Sequence, residues 1–227
     1  MPPAQRSPTA ARFARTRSHL VAIVGGSGSG KTWLADKLYG AFVPRASRLS
    51  LDDFYRDRSH LSPTRRATIN FDHPRAIDWV YLENVLRQLL AGRAARVPSY
   101  DFATHSRRRR FKTLRPKPLI FFDGLWLLRR ASLRRLFALT IYLDCPTHLR
   151  LRRRLERDFL ARGRSRASVR AQFWRTVEPM HARFVGPQAA RANLVLHKPC
   201  TIKDLRSIKA HLRGVLAGAA TRGQSPN

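Results

Sequence analysis

The stretch HLVAIVGGSGSGKT, residues 19 to 32, constrains the chain more than any other. From His19 to Val24 there is no polar alternation, so the run predicts a strand buried on both faces, as in a parallel sheet. Glycines follow at once: Gly25, four residues, then Gly30, Lys31 and Thr32. In such a turn the backbone N–H groups of Gly25, Gly26, Ser27, Gly28, Ser29 and Gly30 can face inward around phosphates at the N-terminus of the next helix. Lys31 would reach the β- and γ-phosphates, and the Thr32 hydroxyl would coordinate Mg²⁺. A flexible Gly/Ser turn is the plain alternative. The strand before the glycines and the helix after them favour the phosphate loop.

The rest of the chain alternates in the same way. Trp33 to Gly40 reads as a helix stopped by Gly40, and RLSLDDFY as a short second strand ending at Leu51. Residues 52–77 read as a long polar loop. Asp78 can cap a helix whose apolar positions are Val80, Leu82, Val85, Leu86, Leu89 and Leu90, ended by Gly92. RVPSYDF and RFKTLRP read as paired extended pieces of a surface hairpin. KPLIFFDG, FALTIYLD and ANLVLH are further strands. A basic helix runs from Thr147 to about Arg162, the stretch around Pro179 is helical, and Ile202, Leu205, Ile208, Leu212, Val215 and Leu216 define a last amphipathic helix. The expected class is α/β: a three-layer sandwich of the P-loop NTPase type with a central five-stranded parallel sheet, a small hairpin excursion and a helical lid. The expected domain covers residues 18–218, with the hairpin at 93–117 and the lid at 150–168, between disordered tails at 1–17 and 219–227.

Composition bounds the partners. The 227 residues carry a formal net charge of +31, and 43% of them are hydrophobic, enough for a substantial core. Residues 104–118, THSRRRRFKTLRPKP, hold seven basic side chains and no acid. Such charge points to anionic partners. Yet the basic residues are mostly Arg and dispersed along the chain, as biased codon usage alone would produce, so charge decides no function. The acid-free start, with Arg6, Arg12, Arg15 and Arg17, reads as a loose basic tail. Cys145 and Cys200 are too few for a disulfide framework or a zinc site, and no apolar run approaches the ~18–20 residues of a membrane span. A cytoplasmic protein without membrane contact is expected.

Three acids stand where chemistry needs them. Asp123 ends the apolar run LIFF, the position of a metal-holding Walker B acid. Asp52 and Asp53 end the second strand, on the sheet edge where ligands of α/β folds bind. A carboxylate there could accept a proton from an attacking hydroxyl, help to hold Mg²⁺, or merely cap a turn.

GGSGSGKT, DDFYRD, NFDHPRAID, PSYDFATHSR and RGRS occur in the order and spacing of the uridine (uridine–cytidine) kinases, and the chain resembles that family over about residues 19–200. The resemblance implies that Asp52 activates the nucleoside 5′-hydroxyl and that Asp72 holds the ribose hydroxyls. It implies that Tyr100 and Phe102 pack around the base while His105 reads its polar edge. In LRRRLERDFLARGRS it implies a lid in which Arg154, Arg157, Arg162 and Arg164 surround the transferring phosphoryl group. Arg154 and Gln172 would lie near the substrate sugar, and Arg164 would also touch the donor nucleotide. Arg150, Arg152 and Arg153 read as a solvated face of that helix, and Arg107 to Arg110 as the solvated tip of the hairpin. Mg²⁺ held by Thr32, Asp52 and Asp123, ATP or GTP as donor, a small nucleoside acceptor and a homotetramer are further implications.

Two departures keep alternatives open. The Walker B acid is usually Glu in that family, and Asp123 is one methylene shorter. Asp53 stands where Ser is usual, a form shared with kinases of other small hydroxyl substrates such as nicotinamide riboside. A related kinase of such a substrate or of pantothenate is therefore a second reading. A nucleic-acid-binding ATPase is a third, although no base-stacking module is apparent; specific nucleic-acid binding is not expected.

Overall fold

Five strands make one parallel sheet: β1 (His19–Gly25), β2 (Ala46–Ser50), β7 (Leu119–Gly124), β8 (Phe137–Leu143) and β9 (Leu194–Leu196). Their order is β2-β7-β1-β8-β9, with the glycine-bearing strand in the centre. The computed structural model describes residues 18–102, 104–197 and 199–221, and the side chains at 67, 161, 162 and 218–221 lie outside that description. The tail expected at 1–17 lies outside it as well, as does the part of the tail expected at 219–227 that follows Thr221. The last helix runs to Thr221, three residues past the expected domain end.

The central strands have no solvent face. Alternate residues of β1 feed two cores: Leu20, Ala22 and Val24 on one side, Val21 and Ile23 on the other. On the second side the sheet is covered by α1 (Lys31–Phe42), through Leu34 and Leu38, and by the C-terminal helix, through Ile208 and Leu212. A short α2 (Pro63–Ala67) precedes α3 (Trp79–Leu90), which covers the first side with Leu82, Val85, Leu86 and Leu89. Three layers result, as the strand–helix alternation requires.

Local differences from expectation have local causes. Gly40 does not stop α1, which continues to Phe42. Phe42 is buried against Phe121 with ring centroids 6.1 Å apart, and that packing outweighs the ~1 kcal/mol penalty of a helical glycine. Asp78 caps α3 as expected, accepting from the Tyr81 amide at 3.2 Å. The buried position at the start of that helix belongs to Trp79, whereas Val80 is 72% exposed, because i, i+3, i+4 spacing from Leu82 puts it on the outer face. Ile202 is likewise exposed at the start of the C-terminal helix. The long loop contains two 3₁₀ turns and α2, and is tied to the body where the Asp78 amide donates to Phe54 O.

The excursion is a hairpin of two antiparallel pairs: β3 (Ala95–Val97) with β6 (Lys112–Leu114), and β4 (Tyr100–Asp101) with β5 (Ser106–Arg107). Arg107 is not part of a solvated tip. Its guanidinium donates to Tyr55 O at 2.8 Å, lies 3.4 Å from an Asp78 oxygen and stands over the Tyr81 ring. It staples the hairpin to the long loop and α3. Arg108 pairs with Asp101, and Arg109 and Arg110 are exposed.

After α4 (Ala131–Arg134) and β8 comes the basic helix α5 (Thr147–Arg162), closed by Gly163 in the left-handed region, and then α6 (Arg166–Gln172). Two π-helical turns, Phe173–Val177 and His181–Val185, flank α7 (Glu178–Met180). The C-terminal helix is α8 (Ile202–Thr221).

Phe122 of β7 is fully buried, with ring contacts to Phe54 at 6.2 Å and Phe137 at 6.4 Å. Phe122→Ala is expected to lose ~3–5 kcal/mol of stability, read as a lower urea midpoint in equilibrium unfolding.

Candidate active site

The sheet register places the phosphate loop and the strand-end acid side by side. Ile23 pairs with Asp123 and Val24 with Gly124, so β7 delivers its carboxylate two residues before Gly25 begins the turn. Asp123 is 3% exposed, and the Thr32 hydroxyl, on the first turn of α1, donates to its Oδ2 at 3.2 Å. Gly28 has φ +81° and a Cβ there would lie 2.5 Å from the carbonyl oxygen of Arg150. Gly30, at φ +98°, is the residue from which α1 starts. No side chain fits the first position and few tolerate the second.

Lys31 donates to Gly26 O at 2.8 Å across the loop. Burial lowers its pKa to about 8, partly offset by Asp123 and Asp52, while Arg157 and Arg150 push in the same direction as burial.

One cleft of about 380 Å³ gathers the separated motifs. Ser27, Gly28, Gly30, Lys31 and Thr32 line one end, with Asp123 and Asp52 beside them. Asp72, Tyr100, Phe102 and His105 line the other, and Arg154, Arg157, Arg164 and Gln172 close over the middle. Gly25, Gly26 and Ser29 shape the loop from behind rather than line the cleft; Ser29 is buried, and a Cβ on Gly25 would meet Leu143 O at 2.7 Å. The side chain of Arg162 lies outside the described residues. The two neighbouring acids separate: Asp52 lines the cleft, while Asp53 takes a backbone hydrogen bond from Tyr100 in the hairpin, and its pKa is raised by burial.

Aromatic packing sets the far end. The His105 ring stacks on Phe71, centroids 4.8 Å apart and planes within 10°, with His105 at φ 50°. Tyr55 contacts Tyr100 at 5.0 Å and Phe71 at 5.5 Å, and its hydroxyl donates to Phe71 O. The Tyr55 phenol has its pKa raised well above normal, by burial first and then by the charges of Asp52 and Asp72. Tyr55 lines the same cleft as both carboxylates. Phe102 remains 39% exposed and lines the cleft.

The lid is wired rather than loose. Arg154 donates to Ser27 Oγ at 2.8 Å and to Gln172 Oε1 at 3.0 Å, and Arg164 reaches the same Gln172 oxygen at 2.5 Å. Asp158, fully buried, takes ion pairs from Arg154 and Arg157. Two arginines read as solvated are not. Arg150 is 1% exposed, pairs with Glu178 at 2.7 Å, and packs against Gly26. Arg153 donates to the carbonyls of Gly28 and Ser29. Arg152 is exposed, as expected. Tyr55, Phe71, Arg150, Arg153 and Asp158 are the site residues that sequence reasoning missed. Only Asp158 carried a local signal, its i, i+4 spacing from Arg154.

The donor set suits a hard cation: a hydroxyl and carboxylates, all oxygen. Among the described residues no three or more His, Cys, Asp and Glu side chains converge as a metal cage. Mg²⁺ fits such a partial shell, because it keeps several waters and takes the rest of its ligands from substrate phosphates.

A phosphate loop, a strand-end acid and arginines folded over a second, aromatic-walled subsite together make a P-loop kinase of small molecules. The chain belongs to the phosphoribulokinase / uridine kinase family, whose model matches residues 20–203. A uridine kinase of Brevibacillus brevis is 38% identical over 178 residues, covering 78% of this chain and 83% of that one. A uridine kinase of Aliivibrio salmonicida is 34% identical over 203 residues, covering 87% and 94%. The phosphoribulokinase structure from Rhodobacter spheroides shares the fold, with a TM-score of 0.59 at 19% identity over 78% of this chain and 68% of that one. Among the described residues no helix is long and apolar enough to cross a membrane.

Two outcomes follow for phosphate binding. Gly28→Ala should weaken nucleotide binding at least about tenfold while far-UV circular dichroism stays unchanged, since the clash is confined to the loop and Arg150. Because the Lys31 ammonium is lost above pH 8, nucleotide affinity measured by calorimetry should fall as pH rises from 7 to 9, and Lys31→Met should flatten that slope.

Proposed function

We propose that this chain moves the γ-phosphoryl group of ATP or GTP to the 5′-hydroxyl of uridine, and of cytidine, giving UMP and CMP in cytoplasmic pyrimidine salvage. The observation that carries this reading is the convergence of Lys31, Asp52, Asp72 and His105 on one cleft with a phosphate loop at one end and an aromatic wall at the other. The uridine kinases of similar sequence support the same acceptor.

Each group has a physical task. Asp52 accepts the proton of the 5′-hydroxyl as its oxygen attacks the γ-phosphorus. Asp72 holds the ribose hydroxyls, and Arg154 and Gln172 orient the sugar beside it. Tyr100 and Phe102 wall the base, and His105 meets its polar edge, since bases stack on rings and are distinguished at their edges. Lys31, Arg157 and Arg164 face the phosphoryl group, whose transition state spreads negative charge over three oxygens, and Arg162 is assigned to the same task by family resemblance alone; contacts of this type are worth ~1.5–3 kcal/mol each. Thr32, Asp123 and Asp52 would hold Mg²⁺, which would supply positive charge to offset that of the phosphates. The domain would run from about residue 18 through the end of the C-terminal helix and assemble as a homotetramer.

Purified protein with uridine, ATP and Mg²⁺ should form UMP, and chelation should stop it. No turnover of any pyrimidine nucleoside at saturating donor would overturn the acceptor. Asp52→Asn should lower kcat by ~10²–10⁴ with little change in uridine KM. His105→Ala should raise KM for uridine more than for acceptors that lack a base, and a uniform loss would speak against base reading.

A further inference from the structure

Arg48 belongs to none of the motifs, yet it touches the most sensitive acid in the site. It lies on β2 beside β7, where Arg48 pairs with Phe121 and Ser50 with Asp123. Its side chain runs along the α1 face of the sheet. There Nη2 stands 3.3 Å from Asp123 Oδ1, while Nη1 pairs with Asp36 of α1. The Thr32 hydroxyl occupies the other oxygen of the same carboxylate. Arg48 stands behind the cleft wall, with its side chain 27% exposed, and is not itself a lining residue.

We propose that Arg48 is an internal counter-ion for Asp123 that weakens the hold of this acid on a free divalent cation, so that the metal enters together with the nucleotide phosphates. The inference rests on the metal-assisted phosphotransfer read above. A carboxylate whose side chain is only 5% exposed needs a charged partner when no metal is present, and Arg48 supplies one. The same fixed guanidinium then opposes a divalent cation approaching Asp123, through a medium that screens poorly. Lys31 adds a second positive charge nearby, but it faces the cleft, where phosphates can engage it. Arg48 has no such release. Its planar fork is held from the α1 side by Asp36 and on the strand side by Asp123, so its charge stays in place. A ligand bringing its own negative charge with the metal offsets what Asp36 leaves of these positive charges.

Mn²⁺ binding, followed by the loss of the free-ion signal in electron paramagnetic resonance, tests this in wild type, R48M and R48K, with and without ADP. Without nucleotide, R48M should bind Mn²⁺ at least about tenfold more tightly than wild type, and R48K, which keeps the charge, within about threefold of it. With ADP the gap should narrow. Mn²⁺ alone should raise the melting temperature of R48M more than that of wild type. An R48M affinity equal to or weaker than wild type without nucleotide overturns the proposal while leaving the kinase reading intact. Wild type that takes up no Mn²⁺ even with ADP removes the metal reading itself, and the Arg48 inference with it. Should R48M fail to fold, R48Q carries the same expectation.

Discussion

The pairing of β1 with β7 in parallel register is the constraint on which everything else hangs. It sets Asp123 beside Ile23, two residues from the start of the glycine turn, so acid and phosphate loop share one sheet edge. The register is itself enforced by burial. Both strands are dry on both faces, and a shift by one residue would exchange the two cores and carry a carboxylate into apolar packing. Chemistry at the edge and packing in the interior are therefore one requirement met by one pair of strands.

Much of this was legible in the chain itself. A run without alternation means a strand buried on both sides, and glycines directly after it mean a loop whose backbone must do the binding. That reasoning located β1, β7, β8 and α5 and the cleft residues Lys31, Thr32, Asp123 and Asp52. The far half of the cleft, from Asp72 to His105, came from resemblance, because a loop and a hairpin carry no periodicity that reveals which way a ring points. Val80 was misplaced because its neighbour Trp79 competes for the same buried position. Tyr55 and Phe71 were missed because their role is tertiary: each is an ordinary aromatic until the hairpin brings Tyr100 and His105 against it.

The arginine-rich composition looks different once positions are known. Arg107 staples the hairpin, Arg150 is buried on Glu178, Arg153 binds loop carbonyls and Arg48 pairs with two acids. Others stand over aromatic faces, as Arg96 does over Phe111 and Arg129 over Phe184. Planar, permanently charged and multiply donating, arginine can do these jobs where lysine would not. A few arginines are thus committed to contacts within the fold, with Arg150 and Arg154 buried, while most of the described ones, Arg96 and Arg129 among them, stay exposed.

Helix α5 has a double attachment. Its inner face touches the phosphate loop three times, through Arg150, Arg153 and Arg154, and the same helix carries Arg157 outward and ends at Gly163. The first two turns are thus part of the cradle wall, a fixed abutment, in a helix that ends at the left-handed Gly163. A substitution that shifts α5 would therefore disturb the loop backbone and the cleft arginines together.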